Sequence, residues 1–256
     1  TTCTCGFAKR KMEPLKYLSK SVNDEKIALL VLNCPLQVLE KKLNILWQKA
    51  VITVAADGAA NHLHNLAQQE HQFVPNVITG DFDSVEEHVL EYFRKQGTEI
   101  VHTPDQDYTD FTKALKFMLA KPNLEYDVIV VLGGMMGSRI DHFFGNFHTL
   151  YHATKMTDKD VFLIIDDSVN VILRPGKHTI HVGTGLEGDW CGIIPVGQPC
   201  KSITTTGLKW NLDHGTLDFQ TGIISTSNTW DGSKVVTVDV SDPVLWTMGV
   251  KSSKTE

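Results

Sequence analysis

The fold is decided by the segment Val77-Ile78-Thr79-Gly80-Asp81-Phe82-Asp83-Ser84. An apolar, β-branched run of strand length leads directly into two carboxylates, as expected where a buried strand ends. Two further acidic segments, residues 103–110 and 133–142, also follow apolar runs. Carboxylates gathered at the carboxyl ends of parallel strands need a counter-charge, and a divalent metal that carries a polyphosphate supplies it. The three segments together predict a phosphate-handling, magnesium-dependent enzyme.

Strand-like and helix-like segments alternate on both sides of this segment. The apolar runs that predict strands are residues 27–32, 51–55, 77–79, 99–101, 127–132 and 161–165. The segments that predict helices are residues 36–49, 57–67, 85–96 and 109–119. Such alternation is typical of right-handed βαβ units, in which helices cover both faces of a mostly parallel sheet. The order of the strands does not follow from the sequence.

The pattern changes after about Val169, where helical periodicity stops. Short β-rich runs, such as residues 169–173, 178–182 and 235–240, then alternate with turns rich in Gly, Pro, Asn and Asp. This spacing is typical of an antiparallel sandwich or barrel. We therefore predict a flexible tail of residues 1–25, an α/β domain of residues 26–168 and an all-β sandwich domain of residues 169–256.

The bulk composition disfavours several classes of protein. The formal charge of −6 over 256 residues argues against a nucleic-acid-binding protein, which usually presents a basic face. No apolar run approaches the ~18 residues that a membrane-spanning helix needs. The five cysteines are odd in number and scattered, which indicates reduced thiols and a cytoplasmic location rather than a disulfide framework.

The pair Asp81 and Asp83 is the first candidate metal site. In an extended segment the two carboxylates share one face, while Phe82 turns the other way into the core. Two carboxylates on one face after a buried strand make half of a metal site. The alternative is a solvated, Asp-rich turn, and the pair by itself does not decide between the two.

A second acidic cluster begins a predicted helix. Asp110 lies in the first turn of that helix, where the N–H groups also favour phosphate. Lys113 follows three residues later on the same face and could neutralise a phosphate oxygen. The alternative is an N-capped surface helix with an ordinary ion pair. That alternative explains Asp110 but not the additional acids Asp105 and Asp107.

Three weaker features complete the candidate site. Gly133 and Gly134 allow a phosphate to approach the backbone, and Arg139 can bind it bidentately. Asp57 lies at a strand-to-helix turn, where it could bind a sugar, hold a metal-bound water or simply cap the helix. Trp210 lies among hydroxyl and amide side chains that suit a flat heteroaromatic ring. Physics alone favours a core position for this Trp.

Taken in order, seven motifs between residues 27 and 250 resemble the thiamine pyrophosphokinase family, and its animal branch in particular. The motifs are Asp57-Gly-Ala-Ala-Asn61, Gly80-Asp-Phe-Asp-Ser84, and residues 103–113, 133–142, 185–196, 205–212 and 225–228. The resemblance implies a nucleotide-binding catalytic α/β domain, a thiamine-binding sandwich, and a homodimer with active sites at the subunit interface. It also implies that the thiamine hydroxyl attacks the β-phosphorus of ATP, with Mg²⁺ as cofactor, and that AMP leaves.

The resemblance further implies roles for individual residues. Asp81, Asp83 and Asp110 would hold Mg²⁺, with Asp57 supporting the acidic site. Lys113 and Arg139 would neutralise the transferring phosphates. The nucleotide would be bound by Gly58, Asn61, Gly133, Gly134, Arg139, Asp141 and His142. Thiamine would be bound by Gln106, Trp210, Ser225, Ser227 and Asn228.

Two other functions use the same features. A metal-dependent phosphohydrolase or an ordinary kinase would employ the same acids but would release phosphate or ADP rather than AMP. The second alternative, from another class, is a catalytically silent thiamine-binding protein. The complete acidic set argues against a silent binder, because pure binding does not require so costly a cluster of charge.

Overall fold

The computed structural model describes residues 9–19, 24–67, 73–133 and 139–251. The chain divides into two compact units. The α/β unit is Lys20–Asp166, and the β unit comprises Thr1–Ser19 and Asp167–Glu256. The division after Asp166 lies two residues before the boundary expected from the sequence, and the β unit includes a segment from the start of the chain.

The first strand, β1 (Arg10–Met12), belongs to the β unit. In the α/β unit, the elements are β2 (Ile27–Val31), α1 (Glu40–Lys49), β3 (Ala50–Ala56), α2 (Ala59–Ala67), β4 (Val77–Gly80), α3 (Glu87–Lys95), β5 (Glu99–His102), α4 (Asp110–Ala120), β6 (Val128–Leu132), α5 (Ile140–Met156) and β7 (Val161–Ile165). Short 3-10 turns occupy Lys16–Leu18 and Gln37–Leu39. Within the described residues, no helix is long and apolar enough to span a membrane.

The α/β unit is built on a parallel sheet with the strand order β7-β6-β2-β3-β4-β5. Every residue of β2, β6 and β7 is buried, because helices cover both faces of such a sheet. The order reverses at β2, which pairs with β3 on one side and with β6 on the other. In open α/β sheets, ligands bind beyond the carboxyl ends of the strands beside this reversal.

The longest helix, α5, was not predicted from the sequence. Its interior Gly145 lowers helix propensity, and its apolar and His residues leave no clean polar face. Phe147, Leu150 and Ala153 are nevertheless buried at a helical spacing, and this repeat is the signal that could have identified the helix.

The β unit continues with β8 (Ser168–Leu173), β9 (Gly176–His181), β10 (Glu187–Ile194), β11 (Cys200–Thr206), β12 (Gly215–Leu217), β13 (Ser225–Asn228), β14 (Val235–Val240) and β15 (Val244–Val250). One sheet has the order β1-β9-β14-β11-β12, and the other contains β13-β10-β15-β8. All pairs within these two sheets are antiparallel except β1 with β9. This is the expected sandwich, and Trp246 on β15 is its largest fully buried side chain.

The expectation of a flexible tail is wrong for the residues around β1. Arg10–Met12 pairs in parallel with β9, and the following turn buries Leu15, Tyr17 and Leu18. This pairing joins segments that are far apart in sequence, so no local pattern announces it. Residues 1–8 and 20–23 of the predicted tail lie outside the described residues.

Replacing Met12 by Ala tests whether β1 contributes to the core of the β unit. Met12 is 6% exposed, whereas Lys11, its neighbour on the opposite face of the strand, is exposed. We expect Met12→Ala to lower the free energy of unfolding by about 2 kcal/mol, because it removes buried apolar surface and leaves a cavity. Lys11→Ala, measured in the same urea titration, should change it by less than about 0.5 kcal/mol. Equal effects of the two substitutions would contradict this assignment.

Candidate active site

Asp57 lies at the carboxyl end of β3 and is almost completely buried. Its backbone N–H donates to the Thr79 carbonyl at 2.7 Å, which ties it to the neighbouring strand β4. A Cβ added to Gly80 would lie 2.8 Å from both Cβ and Oδ1 of Asp57. Gly80 is therefore the residue that allows the acid to lie directly against the end of the next strand.

Asp81 and Asp83 lie in the loop of residues 81–86 that joins β4 to α3. One carboxylate oxygen each from Asp57, Asp81 and Asp83 lies within 4.8 Å of the other two. The expected extended conformation is wrong. Phe82 has a left-handed φ of 67°, and its half-buried ring lies 5.5 Å from the ring of His102 instead of in the core. A bend, rather than strand alternation, brings the two carboxylates together.

Helix α4 brings a buried cation to this group. Thr109 caps the helix by accepting a hydrogen bond from the Thr112 N–H, so Asp110 and Lys113 lie in its first turn. Lys113 Nζ lies 3.2 Å from Asp81 Oδ2 and 2.8 Å from Asp110 Oδ1, and only 5% of the Lys113 side chain is exposed. Gln106 donates from Nε2 to the same Asp81 oxygen at 2.8 Å.

Burial, hydrogen bonds and neighbouring charges shift the pKa values of these groups in different directions. Burial, followed by the negative charge of Asp110, raises the pKa of Asp57 to about 6. Burial alone would raise the pKa of Asp81, but the hydrogen bonds of Gln106 and Lys113 outweigh it and lower that pKa. Burial would likewise lower the pKa of Lys113, but Asp110 and Asp81 outweigh it and raise that pKa. Lys113 therefore compensates Asp81 and Asp110, while Asp57 stays unfavourably charged.

The carboxylate group fits a hard divalent cation such as Mg²⁺. Within the described part of the chain, the buried oxygens Asp57 Oδ1 and Asp81 Oδ1 have no hydrogen-bond partner. Unpartnered carboxylate oxygens beside a third carboxylate are the donor set that such a cation prefers. The group includes Asp57, whereas the expected ligand Asp110 lies against Lys113. The geometric set thus differs in one member from the set implied by the family motifs.

The Gly-rich segment begins beside the reversal of strand order. Gly133 has φ 114°, and a Cβ there would lie 2.6 Å from Cys34 Sγ, so this glycine allows the ends of β2 and β6 to approach. The predicted nucleotide-binding residue Gly134 lies outside the described residues. At the start of α5, the exposed Arg139 donates from Nε to Asp141 Oδ1 at 2.9 Å. This hydrogen bond lowers the pKa of Asp141. His142, the next residue, is exposed.

Thr112 and Thr149, which the sequence did not single out, join Thr109 in connecting α5 to the start of α4. Thr112 Oγ1 lies 2.8 Å from Thr149 Oγ1, and Thr109 Oγ1 lies 3.2 Å from the same Thr149 atom. Thr112 and Thr149 are buried. The contact fixes the first turn of α4, which carries Asp110 and Lys113, against α5. No local pattern marks it, because it depends on the packing of two helices.

In the β unit, Trp210 presents its ring at the surface, with 55% of the residue exposed. The expectation of a core position from physics alone is therefore wrong. Asn228 is buried and brackets the backbone of Trp210: its Oδ1 accepts from the Trp210 N–H at 3.2 Å and its Nδ2 donates to the Trp210 carbonyl at 2.8 Å. The Asn228 side chain also contacts Ser225 Oγ at 3.3 Å, and the exposed Ser227 has a left-handed φ of 56°. Trp210 is thus an exposed ring on a fixed backbone.

Comparison with known proteins shows the family of this chain. Residues 43–163 match the family model of the thiamin pyrophosphokinase catalytic domain, and residues 177–245 match that of its vitamin B1 binding domain. A thiamine pyrophosphokinase of Oryza sativa is 38% identical over 88% of this chain and 87% of its own length. One of Caenorhabditis elegans is 32% identical over 88% of this chain and 89% of its own. The chain belongs to the thiamine pyrophosphokinase family.

Solved structures of the family share the fold. The thiamin pyrophosphokinase from Candida albicans superposes with a TM-score of 0.79 at 25% identity, covering 95% of this chain and 93% of its own. The yeast thiamin pyrophosphokinase superposes with a TM-score of 0.80 at 23% identity, covering 98% of this chain and 94% of its own. The acidic group lies within the catalytic-domain match and Trp210 within the vitamin B1 binding match. Each of the two matches therefore contains one group of the residues predicted from the sequence.

The cavity described within the β unit does not involve the predicted thiamine-binding residues. It has a volume of about 670 Å³ and is lined by Asp167, Val182, Glu187, Gly188, Asp189, Trp190, Trp230, Val250 and Lys251. Trp210, Ser225, Ser227 and Asn228 are absent from this lining.

Replacing Asp57 by Asn should stabilise the metal-free protein at alkaline pH. The raised pKa of Asp57 favours its protonated form in the folded state, so its contribution to stability is full below pH ~4 and is lost as the pH rises through about 6. Asn stays neutral at every pH and tolerates the φ of 45° at this position.

Urea unfolding in EDTA at pH 4.5 and pH 8 measures this effect. The free energy of unfolding of Asp57→Asn should exceed that of the parent at pH 8, and the excess should shrink at pH 4.5. Asp83→Asn, at the exposed member of the same group, is the matched control and should change the stability less. An equal loss of stability for Asp57→Asn at both pH values would show that the charged form of Asp57 supports the fold.

Proposed function

We propose that this chain catalyses the magnesium-dependent transfer of the pyrophosphoryl group from ATP to the hydroxyl of thiamine, giving thiamine diphosphate and AMP. The observation that carries the proposal is the group of three carboxylates with two unpartnered buried oxygens at the carboxyl edge of the sheet. The group belongs to a chain of the thiamine pyrophosphokinase family. Such a site suits a metal-bound polyphosphate.

The acids would hold the metal, and the nearby cations would hold the phosphates. Asp57, Asp81 and Asp83 form the group that could coordinate Mg²⁺, with Asp110 adjacent as the fourth acid. When bound, Mg²⁺ would neutralise the triphosphate and favour attack at phosphorus. Lys113 lies desolvated between Asp81 and Asp110, so a phosphate oxygen that binds beside these acids would meet its charge in a weakly screened position.

Arg139 is the second cation that this chain offers to a phosphate. Its ion pair with Asp141 is exposed on both sides, and an exposed pair is easily opened because water replaces its contacts. A phosphate could therefore exchange with Asp141 for the planar guanidinium of Arg139. The position of the pair at the start of α5 also places the N–H groups of a helix terminus nearby.

Trp210 is the residue that we propose stacks on the thiamine ring system. Its exposed indole is held on a backbone fixed by Asn228, so little conformational entropy is lost when a flat ring binds. Because Gln106 contacts Asp81, a thiamine molecule that also touches Gln106 would lie next to the acidic group. We further propose a homodimer with active sites at the subunit interface, as the family resemblance implies.

We also propose a cytoplasmic location. Cys191 and Cys200 are buried thiols rather than halves of disulfides, which is the state expected in a reducing compartment. No nucleic-acid or membrane partner is part of the proposal.

Product analysis by mass spectrometry tests the proposed reaction. The purified chain is incubated with ATP, Mg²⁺ and thiamine, and we expect thiamine diphosphate and AMP in equal amounts. Thiamine monophosphate with ADP would instead indicate an ordinary kinase. Release of phosphate without a thiamine product would indicate a hydrolase, and no turnover would indicate a silent binder.

Removing one charge from the acidic group should strongly reduce turnover. We expect Asp81→Asn or Asp110→Asn to lower kcat by at least ~10²-fold, because the metal and the phosphates lose their placement. Asp107→Asn, at an exposed acid of the same acidic run, is the matched control and should keep kcat within about twofold of the parent. Near-normal activity of Asp81→Asn at saturating Mg²⁺ would remove Asp81 from the metal site.

Removing the Trp210 ring should mainly weaken thiamine binding. Stacking contributes on the order of 0.5 to 1.5 kcal/mol beyond burial, so Trp210→Ala should raise the KM for thiamine about two- to tenfold. Trp210→Phe retains an aromatic ring, so its KM for thiamine should lie close to that of the parent. The KM for ATP, measured on the same variants, should stay constant. An unchanged thiamine KM in Trp210→Ala would exclude the stacking role.

A further inference from the structure

The loop of residues 81–86 lies outside regular secondary structure, although it carries two of the three clustered carboxylates. Three hydrogen bonds connect its backbone to Asp57, which follows β3, and to Asn61 in the first turn of α2. Ser84 donates its N–H to Asp57 Oδ2 at 3.2 Å, and its carbonyl accepts from Asn61 Nδ2 at 2.8 Å. The Glu86 N–H donates to Asn61 Oδ1 at 3.0 Å. Asn61 therefore makes two of the three bonds, at both ends of its amide.

These two bonds require an amide of this length. A carboxylate would supply the acceptor for the Glu86 N–H but would face the Ser84 carbonyl with a second acceptor. An alkyl side chain would supply neither group, and Gln would place the amide one methylene further from α2. Asn61 is itself fixed, because its backbone N–H bonds the Gly58 carbonyl at 3.1 Å in the first turn of the helix.

The restraint matters because the carboxylates repel one another. Lys113 attracts Asp81, but Asp57 and Asp83 have no ion pair among the described residues. Like charges at this separation favour an open loop unless the backbone is held by groups that carry no charge. Asn61 is such a group, and it holds the loop directly after Asp83.

We propose that Asn61 is a positioning residue that holds the loop of residues 81–86 in place, so that Asp81 and Asp83 meet Asp57 as one metal site. This role differs from the nucleotide contact that the family resemblance implied for Asn61, which stays a prediction, because each end of the amide has one further hydrogen-bonding position. The proposal rests on the proposed function for the identity of the metal, but not for the restraint on the loop.

Two measurements on Asn61→Ala test this role, with Asn65→Ala as the matched control, because Asn65 is exposed on the same helix. Hydrogen exchange of a peptide covering residues 81–90 in the metal-free protein should be about tenfold faster in Asn61→Ala, because two hydrogen bonds of the loop are lost. The Mg²⁺ concentration for half-maximal activity should rise about tenfold or more, as for other residues that orient metal ligands. Asn65→Ala should match the parent in both measurements.

A second pair of variants changes the loop partner of Asn61, the N–H of Glu86. Glu86 has φ −79°, so Glu86→Pro is sterically compatible and removes the N–H that donates to Asn61. Glu86→Ala keeps the N–H and serves as the control for the lost side chain. Glu86→Pro should raise the Mg²⁺ concentration for half-maximal activity, whereas Glu86→Ala should leave it unchanged. In the double variant, the effects of Glu86→Pro and Asn61→Ala on this concentration should be less than additive. This cycle stays informative if Asn61→Ala proves too unstable to study.

Two results would overturn the proposal. One is unchanged exchange of the residue 81–90 peptide in Asn61→Ala. The other is an unchanged Mg²⁺ requirement together with a raised KM for ATP, which would assign Asn61 to the nucleotide contact instead of the loop. If the parent forms no thiamine diphosphate, the proposed function fails, whereas the exchange measurement still decides whether Asn61 restrains the loop.

Discussion

Repulsion between carboxylates is the constraint on which the rest of this structure depends. One carboxylate oxygen each from Asp57, Asp81 and Asp83 lies within 4.8 Å of the other two, and Asp57 is almost fully buried. Lys113 compensates part of this charge, but the pKa of Asp57 stays raised. Burying like charges together costs stability, and this cost is the reason why we propose that a cation completes the site.

The sheet supplies the rigidity that this arrangement needs. Hydrogen bonds between parallel strands bring the ends of β3 and β4 to one edge, and Gly80 lets Asp57 lie against that edge. Asp57 and Phe82 both adopt left-handed backbone conformations that non-glycine residues rarely take. Such conformations persist only where surrounding contacts determine them, and here those contacts include the bonds to Thr79 and Ser84.

The sequence predicted the elements whose patterns are local, and missed those whose partners are distant. The strand of Val161–Ile165 follows from a short apolar run, and α4, predicted as residues 109–119, follows from a helical repeat of apolar residues. In contrast, β1 depends on pairing with β9, and α5 is obscured by Gly145. The conformation of Phe82 was wrongly predicted as extended, because no local pattern distinguishes a bend from the end of a strand.

The sequence by itself determined the α/β and all-β halves, the acidic segments at strand ends and the family, because periodicity and ordered motifs are properties of the chain. Only the tertiary structure decided that Asp57 joins Asp81 and Asp83 while Asp110 faces Lys113. It alone decided that Asn61 holds the acidic loop and that Asn228 holds Trp210. The reason is physical: these contacts are set by sheet order and by side chains that meet across distant segments, and spacing along the chain carries no information about such distances.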